Sequence, residues 1–490
     1  MLCLVSAARG AAFVRGSVIG IKQQRSFSSA RTSSRALRSS PPATIMAPSA
    51  VLHTAAAPSW VELKEASLTT STGKRLAAED ALRAVGEGNP HISTKLRLFN
   101  GDTEADVRVT LYRDHAAWCP YCQKVWMLFE EKQISYKTER INMRSYGEKP
   151  AWFLKKVPSG LLPVIELDGK MLTESLVIMQ TLDQSFSGPS MLPEEQYDRA
   201  NKLLRLERQL FSDWCGLVFR ASGGSARRAF EETFDKVDAA LGELPGPWFL
   251  GGDTPSIVDL QYVSHIERMN ASCLYWKGMQ LRGTERWANI ERWFLAFEQR
   301  PSYHATKSDY YTHIMDIPPQ YGPGISDSSK EVENAQRVID GVSSWKLPLH
   351  LGAKDLEPLP DSMNHGDEAA RHEAAYAIAK NAAAIARFAC RGAGQKGAKQ
   401  FSAPLADPTA VPNLDYESKV DELLRVTVSL LLDGSAAPSS SAPNTNKDAE
   451  GKALGKCLGY LRDRVGVPRD MSYPAAMQLR AHLNHIIDGV

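Results

Sequence analysis

Cysteine is scarce in this chain. Seven in 490 residues (Cys3, Cys119, Cys122, Cys215, Cys273, Cys390 and Cys457) are too few and too scattered for a disulfide framework, which excludes a disulfide-stapled scaffold and points to a reducing compartment. Long apolar runs are missing as well: none approaches the ~18 residues that a membrane span needs, so a soluble protein without a membrane partner is expected. Net charge is small, +2, and even that is local, because residues 1–61 hold seven Lys or Arg and no acid. The remainder carries 51 basic and 56 acidic side chains, a net of −5, which excludes the basic footprint of a nucleic-acid binder. What the chain does have is length. Single cores rarely grow beyond ~250–300 residues, so two or three domains are expected.

The acid-free start, rich in Arg, Ser and Ala, has the composition of an organelle transit peptide over residues 1–60. Arg25-Ser26-Phe27-Ser28-Ser29 is similar to a mitochondrial processing site, and a plastid address has like composition, so plastid or mitochondrion is the expected location. A disordered tail on a cytoplasmic protein is the alternative. Residues 61–105 read as an N-terminal arm with one short helix from Ala77 to Val85 and no chemistry of its own.

The chemistry is concentrated in Arg113-Asp114-His115-Ala116-Ala117-Trp118-Cys119-Pro120-Tyr121-Cys122. Val107, Val109 and Leu111 alternate with polar neighbours at the period of a strand, whereas Val125, Leu128 and Phe129 recur on one face of a helix that Pro120 can open. Cys119 therefore falls at a helix N-terminus, where unpaired N–H groups and the helix dipole favour a thiolate, the nucleophilic form of the side chain. Cys122 lies one turn on, within disulfide reach, and can act as a resolving thiol. A zinc half-site or two unreactive buried cysteines are the competing readings. No second ligand pair stands at zinc-like spacing, so no metal site is expected.

Residues 106–187 form one α/β unit. A strand at Tyr136–Ile141, a helix at Ala151–Lys156, a strand at Val164–Leu167, a hairpin turn at Asp168-Gly169, a strand at Lys170–Leu172 and a helix opened by Thr173-Glu174-Ser175 follow the Cys119 helix. The order β-α-β-α-β-β-α is that of a thioredoxin fold. The run Lys149-Pro150-Ala151-Trp152-Phe153-Leu154-Lys155-Lys156-Val157-Pro158-Ser159-Gly160-Leu161-Leu162-Pro163-Val164, followed by Glu174-Ser175, closely resembles the glutathione-binding half of cysteine-type glutathione transferases, such as the omega and lambda classes and dehydroascorbate reductases. The resemblance covers about residues 106–315.

It implies that Cys119 is the active-site cysteine and that glutathione is a co-substrate. It also implies a cis Pro163, a Leu162 backbone that pairs with the cysteinyl part of glutathione, and Glu174 and Ser175 holding the γ-glutamyl ammonium and carboxylate. Lys149 would meet the glycyl carboxylate. As plain structure, Glu174 and Ser175 are helix-start residues and Lys149 a solvated charge. One departure from the omega pattern matters: Cys119-Pro120-Tyr121-Cys122 is a dithiol sequence of the glutaredoxin type, so monothiol and dithiol chemistry are both open.

Residues 188–318 read as the all-helical transferase domain. Phe230, Phe234, Val237, Leu241 and Leu244 fall at helical spacing, and Ser256 with Asp259 forms a capping box. The polar mixture Arg300–His313 either lines an acceptor pocket or packs. Beyond the breaker-rich segment 318–324, residues 319–490 read as a mainly helical extension, with helices at Glu368–Ala389, Tyr416–Leu432, Lys452–Val465 and Ala475–Ile487 and a disordered linker at 434–447. His482 and His485 lack the company a metal site requires.

The expected protein is thus a thioredoxin-like α/β domain, an all-α glutathione-transferase domain and a helical extension, acting on glutathione and a small electrophilic or disulfide acceptor as a monomer or homodimer. Two alternatives stay open: a glutathione-binding module that holds an iron–sulfur cluster, and a non-catalytic scaffold.

Overall fold

The computed structural model describes residues 57–220, 223–352, 355–398, 403–435 and 448–490. Residues 1–56 of the expected transit peptide and 436–447 of the expected linker lie outside them. Among the described residues, no helix is long and apolar enough to cross a membrane.

Two helices open the described chain, α1 (Trp60–Thr69) and α2 (Ser71–Ala84), where the sequence reading has one short helix from Ala77. The overlooked signal is a capping box. The Ser59 N–H donates to Glu62 at 2.7 Å while the Ser59 hydroxyl accepts from the Glu62 N–H. The arm then supplies β1 (Leu96–Arg97), a strand too short to show a period.

The α/β unit follows as β2 (Val109–Asp114), α3 (Pro120–Glu131), β3 (Tyr136–Ile141), α4 (Ala151–Lys156), β4 (Val164–Leu167), β5 (Lys170–Leu172) and α5 (Ser175–Ser185). The sheet order is β1-β3-β2-β4-β5, with β2 and β3 parallel and every other neighbouring pair antiparallel. This is a thioredoxin-like sheet with the arm's strand added at one edge. The turn between β4 and β5 requires positive φ twice, and Asp168 (49°) and Gly169 (78°) supply it. Val125, Leu128 and Phe129 of α3 and Ile178, Met179 and Leu182 of α5 are all buried against the sheet side of the core.

The helical half comprises α6 (Tyr197–Phe219), α7 (Gly223–Leu241), α8 (Ile257–Lys277), α9 (Ala288–Phe297), α10 (Pro301–His304) and α11 (Tyr310–Asp316). Helix α8 is buried on all sides. Its start is fixed by Asp259, which accepts from the Ser256 N–H and hydroxyl through one oxygen and from the Phe249 N–H and the Trp293 indole through the other. Phe230, Phe234, Val237 and Leu241 are core residues, while Leu244 lies past the end of α7 and is half-buried.

The extension carries α12 (Pro318–Tyr321), α13 (Lys330–Ile339), α14 (Asp367–Lys380), α15 (Ala382–Ala389), α16 (Glu417–Asp433), α17 (Ala449–Arg464) and α18 (Tyr473–Gly489). The single helix read over 368–389 is broken at Asn381 into α14 and α15. Segment 318–324, read as a boundary, is tightly packed. A Cβ on Gly324 would sit 2.2 Å from the Trp276 ring, and the Ile325 N–H donates to Val218 O at 2.8 Å. The extension also grips the arm, with Trp60 Nε1 donating to Asp421 and Tyr376 Oη to Asp80, each at 2.7 Å. His482 spends its Nδ1 on Gln478 O at 2.7 Å.

Candidate active site

Strand β2 ends at Asp114, and the chain turns through Ala117, at φ 59°, into the first residue of α3. Cys119 is the N-cap of that helix and makes no side-chain capping bond, so its sulfur is left for other chemistry. Pro120 fits at the first helical position because no N–H is needed there. The turn is pinned from within by Asp114, whose Oδ2 accepts from the Trp118 N–H at 2.9 Å and the Cys119 N–H at 3.4 Å. It is pinned from outside by α8: Arg268 donates to Trp118 O and, at 2.9 Å, to Gln123 Oε1, while Gln123 Nε2 donates to Glu267 at 2.9 Å.

Donor atoms of Asp114, Cys119 and Cys122 all lie within 4.8 Å of one another, and all three side chains are buried. Burial, and then the neighbouring Cys119 sulfur, push the Cys122 thiol well above its ordinary pKa. Lys149 is half-buried nearby. Desolvation lowers its pKa, opposed by the negative potentials of Cys122, Cys119 and Asp114.

The registers carry the other sequence-derived candidates to the same end of the sheet. Tyr112 pairs with Val164 and Ile165 with Leu172. Asp114 closes β2 at that end, Leu162 and Pro163 lie just before the start of β4 at Val164, and Glu174 and Ser175 lie two and three residues past the end of β5 at Leu172. The Leu162–Pro163 peptide is cis. Glu174 is exposed and holds φ 67°, rare backbone for a residue with a Cβ, just before α5. Ser175 opens that helix and is half-buried.

Three features escaped the sequence reading. Asp114 belongs to the singled-out stretch but shows its role only through the fold. Tyr321, from the supposed boundary, joins Phe211, Trp214 and Phe219 with ring centroids 5.3–5.7 Å apart, and Tyr121 stands T-shaped on His265 at 5.5 Å. Lys124, buried and donating to Gln261 at 2.8 Å, is brought down to about 8 by desolvation.

The polar segment 300–313 divides. Arg300 pairs with Glu131, His313 with Glu267 at 2.8 Å, and Asp309 with Arg480 at 2.6 Å, all packing roles. His304 and Tyr311, in contrast, line a cavity of about 980 Å³ together with His115, Tyr146, Asp316 and residues of the extension. Asp316 accepts from Tyr146 and is raised from 3.8 to about 7, chiefly by burial. A carboxyl raised in the folded state contributes stability that is complete below about 4 and is lost as pH rises through 7. Asp316→Asn should therefore gain stability relative to wild type between pH 5 and 8, on the order of 2 kcal/mol. Urea denaturation at the two pH values measures this, and a pH-independent difference would show that Asp316 is not the titrating group.

Comparison with known proteins places this geometry in context. Residues 118–185 match the family model described as glutathione S-transferase, N-terminal domain, and residues 194–296 the corresponding C-terminal domain. The chain is similar to mouse (Mus musculus) glutathione S-transferase omega-1, 27% identical over 46% of this chain and 90% of that protein. It is 30% identical to rice (Oryza sativa subsp. japonica) protein IN2-1 homolog A over 44% of this chain and 83% of the relative. Arabidopsis thaliana glutathione S-transferase L3 is 32% identical over 35% of this chain and 68% of its own length.

Proposed function

Because the chain belongs to the glutathione S-transferase family, we propose that it is a glutathione-dependent thiol transferase in which Cys119 is the nucleophile and glutathione itself resolves the intermediate. The observation that carries this reading is Cys119 as the N-cap of α3, just past the end of β2, at the same end of the sheet as the start of β4 that follows Leu162 and Pro163 and the end of β5 that precedes Glu174 and Ser175. The Cys119 thiolate attacks the glutathionyl sulfur of a mixed disulfide. The S–S bond breaks, the acceptor leaves as a thiol after taking a proton, and Cys119 carries the glutathionyl group. A second glutathione thiolate then attacks that sulfur, leaving as glutathione disulfide and restoring Cys119. Glutathione conjugates, attacked at the same glutathionyl sulfur, are further acceptors, whereas dehydroascorbate has no sulfur to attack and is reduced by two glutathiones that leave as glutathione disulfide.

Cys122 is a poor resolving group in this cycle. Burial raises its thiol far above neutral pH, so little thiolate is present to compete with a bound glutathione. In the glutathione site, Glu174 takes the γ-glutamyl ammonium, Ser175 the adjacent carboxylate, the Leu162 backbone the cysteinyl amide, and Lys149 the glycyl carboxylate. Its strained backbone supports a ligand role for Glu174, since such conformations concentrate at functional sites.

Glu174→Ala should raise the KM for glutathione about ten- to a hundredfold, the scale of a lost charge-assisted contact. Alkylation of Cys119 by iodoacetamide should proceed as in wild type. Steady-state kinetics at varied glutathione checks the first statement and peptide mass spectrometry the second; an unchanged KM would reduce Glu174 to a helix-start residue.

A further inference from the structure

The two oxygens of Asp114 are used unequally. Oδ2 holds the Trp118 and Cys119 N–H groups, but Oδ1, in a side chain only 1% exposed, has no hydrogen-bond partner among the described residues. A buried carboxylate oxygen without a donor calls for a missing partner. The same carboxylate lies among two sulfurs: Cys119 and Cys122, themselves 3% and 2% exposed, each bring an Sγ within 4.8 Å of an Asp114 oxygen and of the other. Neither cysteine is in a disulfide.

We propose that the reduced site binds one thiophilic divalent cation, zinc or a soft relative, through Asp114, Cys119 and Cys122. Thiolate donors select zinc and cadmium over magnesium or calcium, and three protein ligands leave the fourth tetrahedral position for water or an external thiol. Charge also balances. Two thiolates and a carboxylate around a dication leave one negative charge, at the N-terminus of α3. Binding involves no electron transfer: each thiol that still carries a proton releases it to solvent as its Zn–S bond forms, and the ion sheds the waters it exchanges. Oxidation to a Cys119–Cys122 disulfide removes both thiolates, so the oxidised pair cannot bind the ion. An occupied site masks Cys119, so the ion acts as a reversible block on any chemistry of that sulfur.

The inference needs only the reduced dithiol and goes beyond the transferase reading, so the two fail independently. The test uses the full chain, reduced and desalted without oxygen, with no glutathione present, titrated with zinc ions against a chromophoric chelator. One tight zinc per chain is expected. Cys119→Ser and Cys122→Ser should each weaken it about a hundredfold or more, and Asp114→Asn about ten- to a hundredfold. X-ray absorption of the zinc-loaded wild type should give two sulfur neighbours near ~2.3 Å and lighter ligands near ~2.0–2.2 Å. That measurement stands even if Asp114→Asn does not fold. Absence of stoichiometric zinc, zinc retained by Cys119→Ser, unchanged affinity in a folded Asp114→Asn, or a shell of sulfur alone would each overturn the proposal.

Discussion

Cys119→Ser is expected to lower glutathione-dependent thiol transfer by roughly 10³-fold or more, the scale on which removing a nucleophile acts. A hydroxyl at neutral pH presents almost no anion to attack sulfur, and the oxygen cannot form the mixed disulfide on which the cycle depends. The fold should be indifferent, because Cys119 makes no capping bond and serine is itself a favoured N-cap residue. Loss of turnover with an unchanged circular dichroism spectrum and melting temperature is therefore the expected result. Cys122→Ser is the matched control. It should retain turnover on small glutathionylated substrates, since in the proposed cycle glutathione supplies the second thiol. Retention of more than about a tenth of wild-type turnover by Cys119→Ser would move the nucleophile elsewhere. A Cys122→Ser protein that accumulates a Cys119 adduct which added glutathione cannot clear would make Cys122 the resolving group.

The second large effect is on stability and lies far from the thiols. Arg480 of α18 is fully buried, donates to Asp309 at 2.6 Å and to Val465 O at 2.8 Å, and lies over the rings of Tyr311 and Trp345 at 4.6 and 5.0 Å. It is the bolt between the extension and the helical half. Burial pushes the Asp309 carboxyl up, but the Arg480 charge and the Thr312 contacts outweigh it and hold the group below its ordinary value. Arg480→Met keeps much of the volume yet leaves Asp309 charged, buried and without its cation. Breaking a buried pair in this way costs about 3–5 kcal/mol. Replacing both partners, as Arg480→Met with Asp309→Asn, should recover a substantial part, because the uncompensated charge is gone. Equilibrium denaturation of the three variants measures both numbers. A loss below about 1 kcal/mol in Arg480→Met would mean that Asp309 is neutral or hydrated there.

Local pattern reached a long way in this protein. The alternation in β2, Pro120 at the head of α3, the Asp168-Gly169 turn and the Ser256–Asp259 cap each depend on neighbours within about four residues, and the sequence by itself determined them. The candidate site around Cys119 was legible for the same reason. Its candidates sit on strand ends and helix starts whose position follows from those local signals, and their order along the chain matched a known family.

Tertiary structure alone decided the rest. Strand β1 is two residues long and exists because β3 offers an edge to pair with. Tyr321 joins Phe211, Trp214 and Phe219 only because segment 318–324 packs against Trp276 and Val218. Arg480 and Asp309 are 171 residues apart, and nothing local marks either as the other's partner. The same holds for Asp114: its place at the end of β2 follows from sequence, but a carboxylate with one orphaned oxygen and two sulfurs close by depends on which groups the folded chain brings near and which donors it withholds. Periodicity and capping are properties of a few consecutive residues, whereas burial and the pairing of buried charges are settled only when distant segments exclude water together.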